Sequence, residues 1–217
     1  MIKRRTASNY DKLVEDWEQK ILQLNTEELL KKVPGLKEEN GFLTLTHFSR
    51  KYGFKKENGK IYCLDNDEPV CNNAKLNIYT FLWYIKEYAC LQNNWKPFRE
   101  LRGASPFTGA FKKLILDNLA KSFSGRLPEF CLAAEKLGGQ KINYGDAGYV
   151  ILAFDCIPIQ FILWDKDDEW EAEANILFDY SVTDYIHVES VVTLASEGCR
   201  RLWEEAGLTG EEELPAM

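Results

Sequence analysis

The chain is expected to fold as an α+β protein, with helical N-terminal and central parts, a small N-terminal hairpin, and a C-terminal antiparallel sheet closed by a C-terminal helix. Three observations predict this. Leu13, Trp17, Ile21, Leu24, Leu29, Leu30 and Val33 recur at helical spacing near the start. Asn58-Gly59 before KIYCL is a strong two-residue hairpin signal. Three strand-like runs, at 148–154, 157–164 and 170–178, follow one another late in the chain.

Taken in order, residues 9–33 read as helix, with Thr26 restarting a second one after a break and Pro34-Gly35 stopping it. Residues 41–53 alternate apolar and polar side chains, as a small antiparallel unit does. Asn72 or Asn73 caps an aromatic helix extending to about Cys90, with Tyr79, Phe81, Trp83 and Tyr88. Ser105-Pro106 opens a further helix through Phe111, Ile115, Leu119 and Phe123, because serine caps well and proline suits the first turn. Another helix runs over 128–137 until Gly138-Gly139 ends it. In the third strand Trp170, Ala172, Ala174, Ile176 and Phe178 share one face, and Glu169, Glu171, Glu173 and Asn175 the other. The last helix, near 189–206, carries Val192, Ala195, Cys199 and Leu202 inward, and Gly207 caps it.

With 217 residues, 45% of them hydrophobic and 13% aromatic, one globular domain over 1–217 is expected, with sub-lobes at 1–70 and 71–207 and a frayed tail at 208–217. A formal net charge of -7 disfavours general attraction to nucleic acid or anionic membranes. The opening MIKRRTASNYDKLVEDW has cations but no apolar run after them, and no run approaches the ~20 apolar residues of a membrane helix. A cytoplasmic location follows. Six scattered cysteines with no CxxC pair suit reduced packing thiols rather than a metal or disulfide framework.

The densest charge lies in 164–189, WDKDDEWEAEANILFDYSVTDYIHVE, where nine carboxylates surround the single cation Lys166. Such a row is either a solvated hairpin, a hard-metal site using Asp167, Asp168, Glu169 and Asp179, or a surface for a basic protein partner. An EF-hand loop counted from Asp165 puts Trp170 where glycine is required, and residues 53–60 miss the phosphate-loop spacing by one. GxGxxG and GxSxG signatures are absent. His187-Val188-Glu189 resembles part of a zinc-deaminase motif but lacks its PCxxC, and His47 lies near Cys63 across a hairpin or simply packs. Arg99 and Arg102, just before the helix start at Ser105, could form an anion site from guanidinium groups and free backbone N–H groups.

The chain resembles the family numbered 3786 among domains of unknown function, and the following residues carry the resemblance. They are FREL (98–101) with Gly103, Phe107 and Phe111, then LGG (137–139), Gly145-Asp146, Pro158, WxxDDE (164–169), and ILFD (176–179) leading to Glu189. The resemblance implies a setting in anaerobic bacteria and archaea, where some members are joined to cysteine-rich iron–sulfur modules that this chain lacks. It carries no established reaction. Together with the arginine-bearing helix start, it leads us to expect a non-catalytic binder of an anionic or tetrapyrrole-type ligand, held by Arg99, Arg102, Ser105, Trp164 and Asp146, with no metal ligands assigned.

Overall fold

The computed structural model describes residues 9–208 and has the expected α+β class. Expectations for the N-terminal cations and for the tail beyond Leu208 fall outside the described residues. Helix α1 (Asn9–Ile21) ends before α2 (Thr26–Lys32), and the restart works through Asn25, whose side chain accepts the Glu27 and Glu28 N–H groups at 2.9 and 3.2 Å. That capping satisfies two of the donors a helix start leaves free.

The first sheet is antiparallel in the order β1 (Lys37–Glu39), β2 (Phe42–His47), β3 (Arg50–Phe54), β4 (Ile61–Cys63). Its tight turns are not where Asn58-Gly59 pointed. Asn40-Gly41 joins β1 to β2 with φ of 50° and 79°, and Phe48-Ser49 joins β2 to β3 with φ of 44° and 60°. Positive φ at both central residues is the turn geometry that matches strand twist, and asparagine and glycine adopt it readily. For buried Phe48 it is strained. Tertiary bonds hold it: the Phe48 N–H donates to the Ala153 carbonyl at 3.1 Å and the Ser49 hydroxyl to the Leu137 carbonyl at 2.7 Å. Asn58-Gly59 instead sits in the longer β3–β4 connection, where the Gly59 carbonyl accepts the Tyr79 hydroxyl at 2.8 Å.

Helix α3 (Asn72–Tyr84) stops short of Cys90. The Lys86 N–H is drawn to the Asp184 carbonyl at 2.9 Å, and the Lys86 ammonium to the Asp184 carboxylate at 2.8 Å, so the next helical turn does not form. The aromatic face of α3 packs on the C-terminal sheet through Phe81, stacked 4.2 Å from Phe154.

That second sheet has the order β5-β9-β8-β7-β6, from β5 (Trp95–Pro97), β6 (Gln140–Ile142), β7 (Ala147–Phe154), β8 (Ile157–Trp164) and β9 (Glu173–Asp179). Helices α4 (Thr108–Phe111), α5 (Asp117–Phe123) and α6 (Leu127–Lys136) come between β5 and β6, while α7 (Val182–Tyr185) and α8 (Val188–Glu205) follow β9. One cluster of buried apolar residues runs from Val14 in α1 to Leu202 in α8 and includes both sheets. All six cysteines are free thiols. No helix of the described residues is long and apolar enough to cross a membrane.

Candidate functional site

Between β9 and the α4–α5 helix lies a groove of about 990 Å³. Four segments bound it: Pro97 to Arg99, the helical residues from Thr108 to Ser124, Trp164 with the loop from Glu169 to Ala172, and Glu173 to Asn175 of β9. Its size falls within the about 300–1,000 Å³ range of small-molecule sites.

Local chemistry explains why this opening exists. Phe98 stacks on Phe111 at 4.2 Å and both meet Phe178 edge-on, which fixes the groove's base against β9. Between α4 and α5 the helix widens into a π turn over Lys112–Leu116, in which the Asp117 N–H reaches back to the Lys112 carbonyl. Such turns cost regular hydrogen bonding and concentrate at functional sites. Lys112 and Leu116 from this turn line the groove.

The other boundary is the acidic loop, which is tied down at its start. The Asp146 carboxylate accepts the Asp165 N–H at 2.8 Å, and the Asp165 carboxylate accepts the Gly125 N–H at 2.6 Å. Asp167 then accepts the N–H groups of Glu169 and Trp170, each at 2.8 Å, making a self-satisfied turn. These carboxylates cap backbone donors. Among the described residues there is no group of three or more His, Cys, Asp or Glu able to hold a metal ion. Asp179 is likewise occupied: burial would raise its pKa, but hydrogen bonds from Ser181, Gln92 and Asn94 outweigh this and hold it below the usual carboxylate value.

The walls differ in charge. Lys112 and Lys121 stand on the helical side with Asp117, which pairs with Lys112 at 2.7 Å, and Arg99 stands in the turn directly after β5. Glu169, Glu171 and Glu173 stand on the strand side. Trp164 and Trp170 add indole surface, and Trp170 is 72% exposed.

Of the residues expected to hold a ligand, Arg99 and Trp164 line this groove. Asp146 lies behind it, anchoring the loop. Arg102 points elsewhere, with its guanidinium 3.1 Å from buried Asp184 and 5.5 Å from the Tyr180 ring. Ser105 is the first residue of a short 3-10 turn (Ser105–Phe107) whose N-cap is Ala104, so serine does not occupy the cap position. Sequence reasoning missed Lys112, Lys121 and Trp170 as lining residues. Trp170 was expected on the inward face of the third strand, but β9 begins only at Glu173 and leaves it exposed in the preceding loop.

The histidines lie elsewhere. His187 caps α8 by accepting the Glu189 N–H at 3.3 Å. His47 is buried, with Nδ1 2.7 Å from the Ala153 carbonyl and Nε2 3.4 Å from the Asn77 amide. A carbonyl only accepts, so Nδ1 carries the proton and Nε2 accepts from Asn77. Burial pushes the imidazole down to about 4, which keeps it neutral. The Asn77 carbonyl oxygen in turn takes the Thr193 hydroxyl at 2.7 Å. This network fastens β2 to α3 and α8.

The groove and its anchored loop lie within an α+β chain of two antiparallel sheets. The chain belongs to the family described as a domain of unknown function, DUF3786, which matches residues 26–201. No curated protein and no solved structure matches the chain. The residues that carried the resemblance are largely scaffold: Phe98 and Phe111 stack, Gly139 approaches the Ala134 carbonyl so closely that a Cβ would lie 2.6 Å from it, and Asp179 clamps the chain before β5.

Proposed function

We propose that this protein is a cytoplasmic, non-catalytic binding protein whose ligand is anionic and planar, of the tetrapyrrole type, seated in the groove between α4–α5 and β9. One observation carries this reading: a groove of about 990 Å³ that combines indole surface from Trp164 and Trp170 with the cations Arg99, Lys112 and Lys121. A large amphipathic ring system needs that pairing, with flat apolar area for the ring and guanidinium or ammonium donors for its carboxylates. Asp165 and Asp167 of the neighbouring loop are engaged by backbone N–H groups, which favours binding over metal-assisted catalysis.

The anaerobic setting implied by the family resemblance is where such ligands and their carriers are expected. Native mass spectrometry and absorbance of protein purified without denaturation test the proposal. A co-purifying chromophore of tetrapyrrole mass, lost in Arg99→Ala and Trp170→Ala, is the expected result. Loading that persists in both variants would place the ligand elsewhere.

A further inference from the structure

The groove also exposes a strand edge. Strand β5 covers β9 only at Leu177, Phe178 and Asp179, paired with Pro97, Lys96 and Trp95. After Pro97 the chain turns into a 3-10 turn (Phe98–Glu100), so no strand among the described residues pairs with Glu173 to Ile176 on that side. On the other side β8 pairs with β9 from Trp164↔Glu173 to Ile159↔Phe178.

Register shows which backbone groups face the vacated side. The Tyr180 N–H donates to the Asn94 carbonyl at 2.8 Å, toward β5. Because alternate residues of a strand bond to opposite neighbours, Phe178, Ile176 and Ala174 point the same way. The Ile176 N–H is taken by the Asn175 side chain at 2.9 Å. Ala174 is left presenting its N–H and C=O into the groove.

The charge beside this edge selects an occupant. Glu169, Glu171 and Glu173 line the same side of the groove, whereas Lys112 and Lys121 stand on the helical side and Arg99 in the turn after β5. We propose that the open edge of β9 docks an extended basic segment of a protein partner, which adds a strand where β5 stops and sets lysine or arginine side chains against this glutamate row. Main-chain bonds to Ala174 would supply affinity and alternate side chains specificity, as in other strand-addition complexes. This goes beyond the ligand-binding reading and shares its groove, since Trp170 stands between Glu169 and Glu171.

The test uses the full chain and a fluorescein-labelled heptapeptide of alternating lysine and valine, read by anisotropy and by amide hydrogen exchange. Saturable binding with slowed exchange at Ala174 is expected. A peptide of equal charge with prolines replacing the valines should bind about tenfold more weakly, since proline cannot donate to a ladder. Glu171→Lys with Glu173→Lys should weaken binding by about tenfold or more through like-charge repulsion. Arg102→Ala, whose guanidinium pairs with Asp184 outside the groove, should leave peptide affinity unchanged. Equal affinity for the proline peptide, or unchanged exchange at Ala174, would overturn the proposal. So would self-association of the charge-reversed protein without peptide binding by the parent, because the glutamates would then serve only to guard the edge.

Discussion

The His47 ring lies 4.4 Å from the Phe154 ring and 20° from parallel to it, so a hairpin of the first sheet is stacked onto a strand of the second. Phe154 in turn stacks on Phe81 of α3. A single imidazole therefore joins three elements.

This contact predicts an acid-sensitive fold. The imidazole titrates near 6.5 when unfolded and at about 4 when folded. Between those values the unfolded chain binds more protons, so the stability His47 contributes is fully present above pH 6.5 and is lost as pH falls toward 4. The loss amounts to roughly 3 kcal/mol at about 1.4 kcal/mol per unit. Urea midpoints measured from pH 7 to 5 should fall in the parent protein and fall less steeply in His47→Phe. Parallel curves for the two would refute the assignment.

Arg102 and Asp184 should be unequal partners. The Arg102 side chain is about half exposed and Asp184 is buried, where it also holds Lys86 at 2.8 Å. Removing the exposed partner should cost about 0.2–1 kcal/mol. Asp184→Ala should cost more, about 1–3 kcal/mol, because buried hydrogen bonds are lost. Urea unfolding of both variants checks the order, and an equal or larger cost for Arg102→Ala would contradict the geometry.

Gly198 is where α8 meets the core most closely. A Cβ there would lie 2.5 Å from the Phe161 ring and 3.0 Å from that of Phe48. Gly198→Ala should therefore destabilise by about 1–3 kcal/mol through overpacking, despite the better helix propensity of alanine. Thermal melts would show a lower midpoint; an increase would mean the aromatic cluster yields freely.

Much of the fold was legible because its long elements carry periodic apolar residues. Helix α8 and strands β7, β8 and β9 lie within a few residues of their expected spans. Strands β1 and β5, of three residues each, were not legible, since they exist through pairing with β2 and β9 rather than through any pattern of their own. The hairpin signalled by Asn58-Gly59 is present, with β3 and β4 pairing across it through a connection longer than two residues, while Phe48-Ser49 made a tight turn that only its tertiary contacts explain. At the site, Arg99 and Trp164 could be singled out as chemistry-bearing residues of the right kind. Their meeting in one groove could not, because it depends on the π turn after Phe111 and on the Asp165 anchor to Gly125, neither of which has a local sequence signature.

Binding of an amphipathic anion in the groove is the property on which the proposed function rests. The most direct measurement is titration with protoporphyrin, followed by quenching of tryptophan fluorescence. It is to be made on the parent protein, on Arg99→Ala with Trp170→Ala, and on Arg102→Ala. The expected result is one saturable site per chain, weakened about tenfold or more in the double variant, as loss of a charge-assisted bond worth about 1.5–3 kcal/mol requires. Arg102→Ala, whose guanidinium is committed to Asp184, should bind as the parent does. Non-saturable binding, or equal affinity in the parent and the double variant, would contradict the central claim.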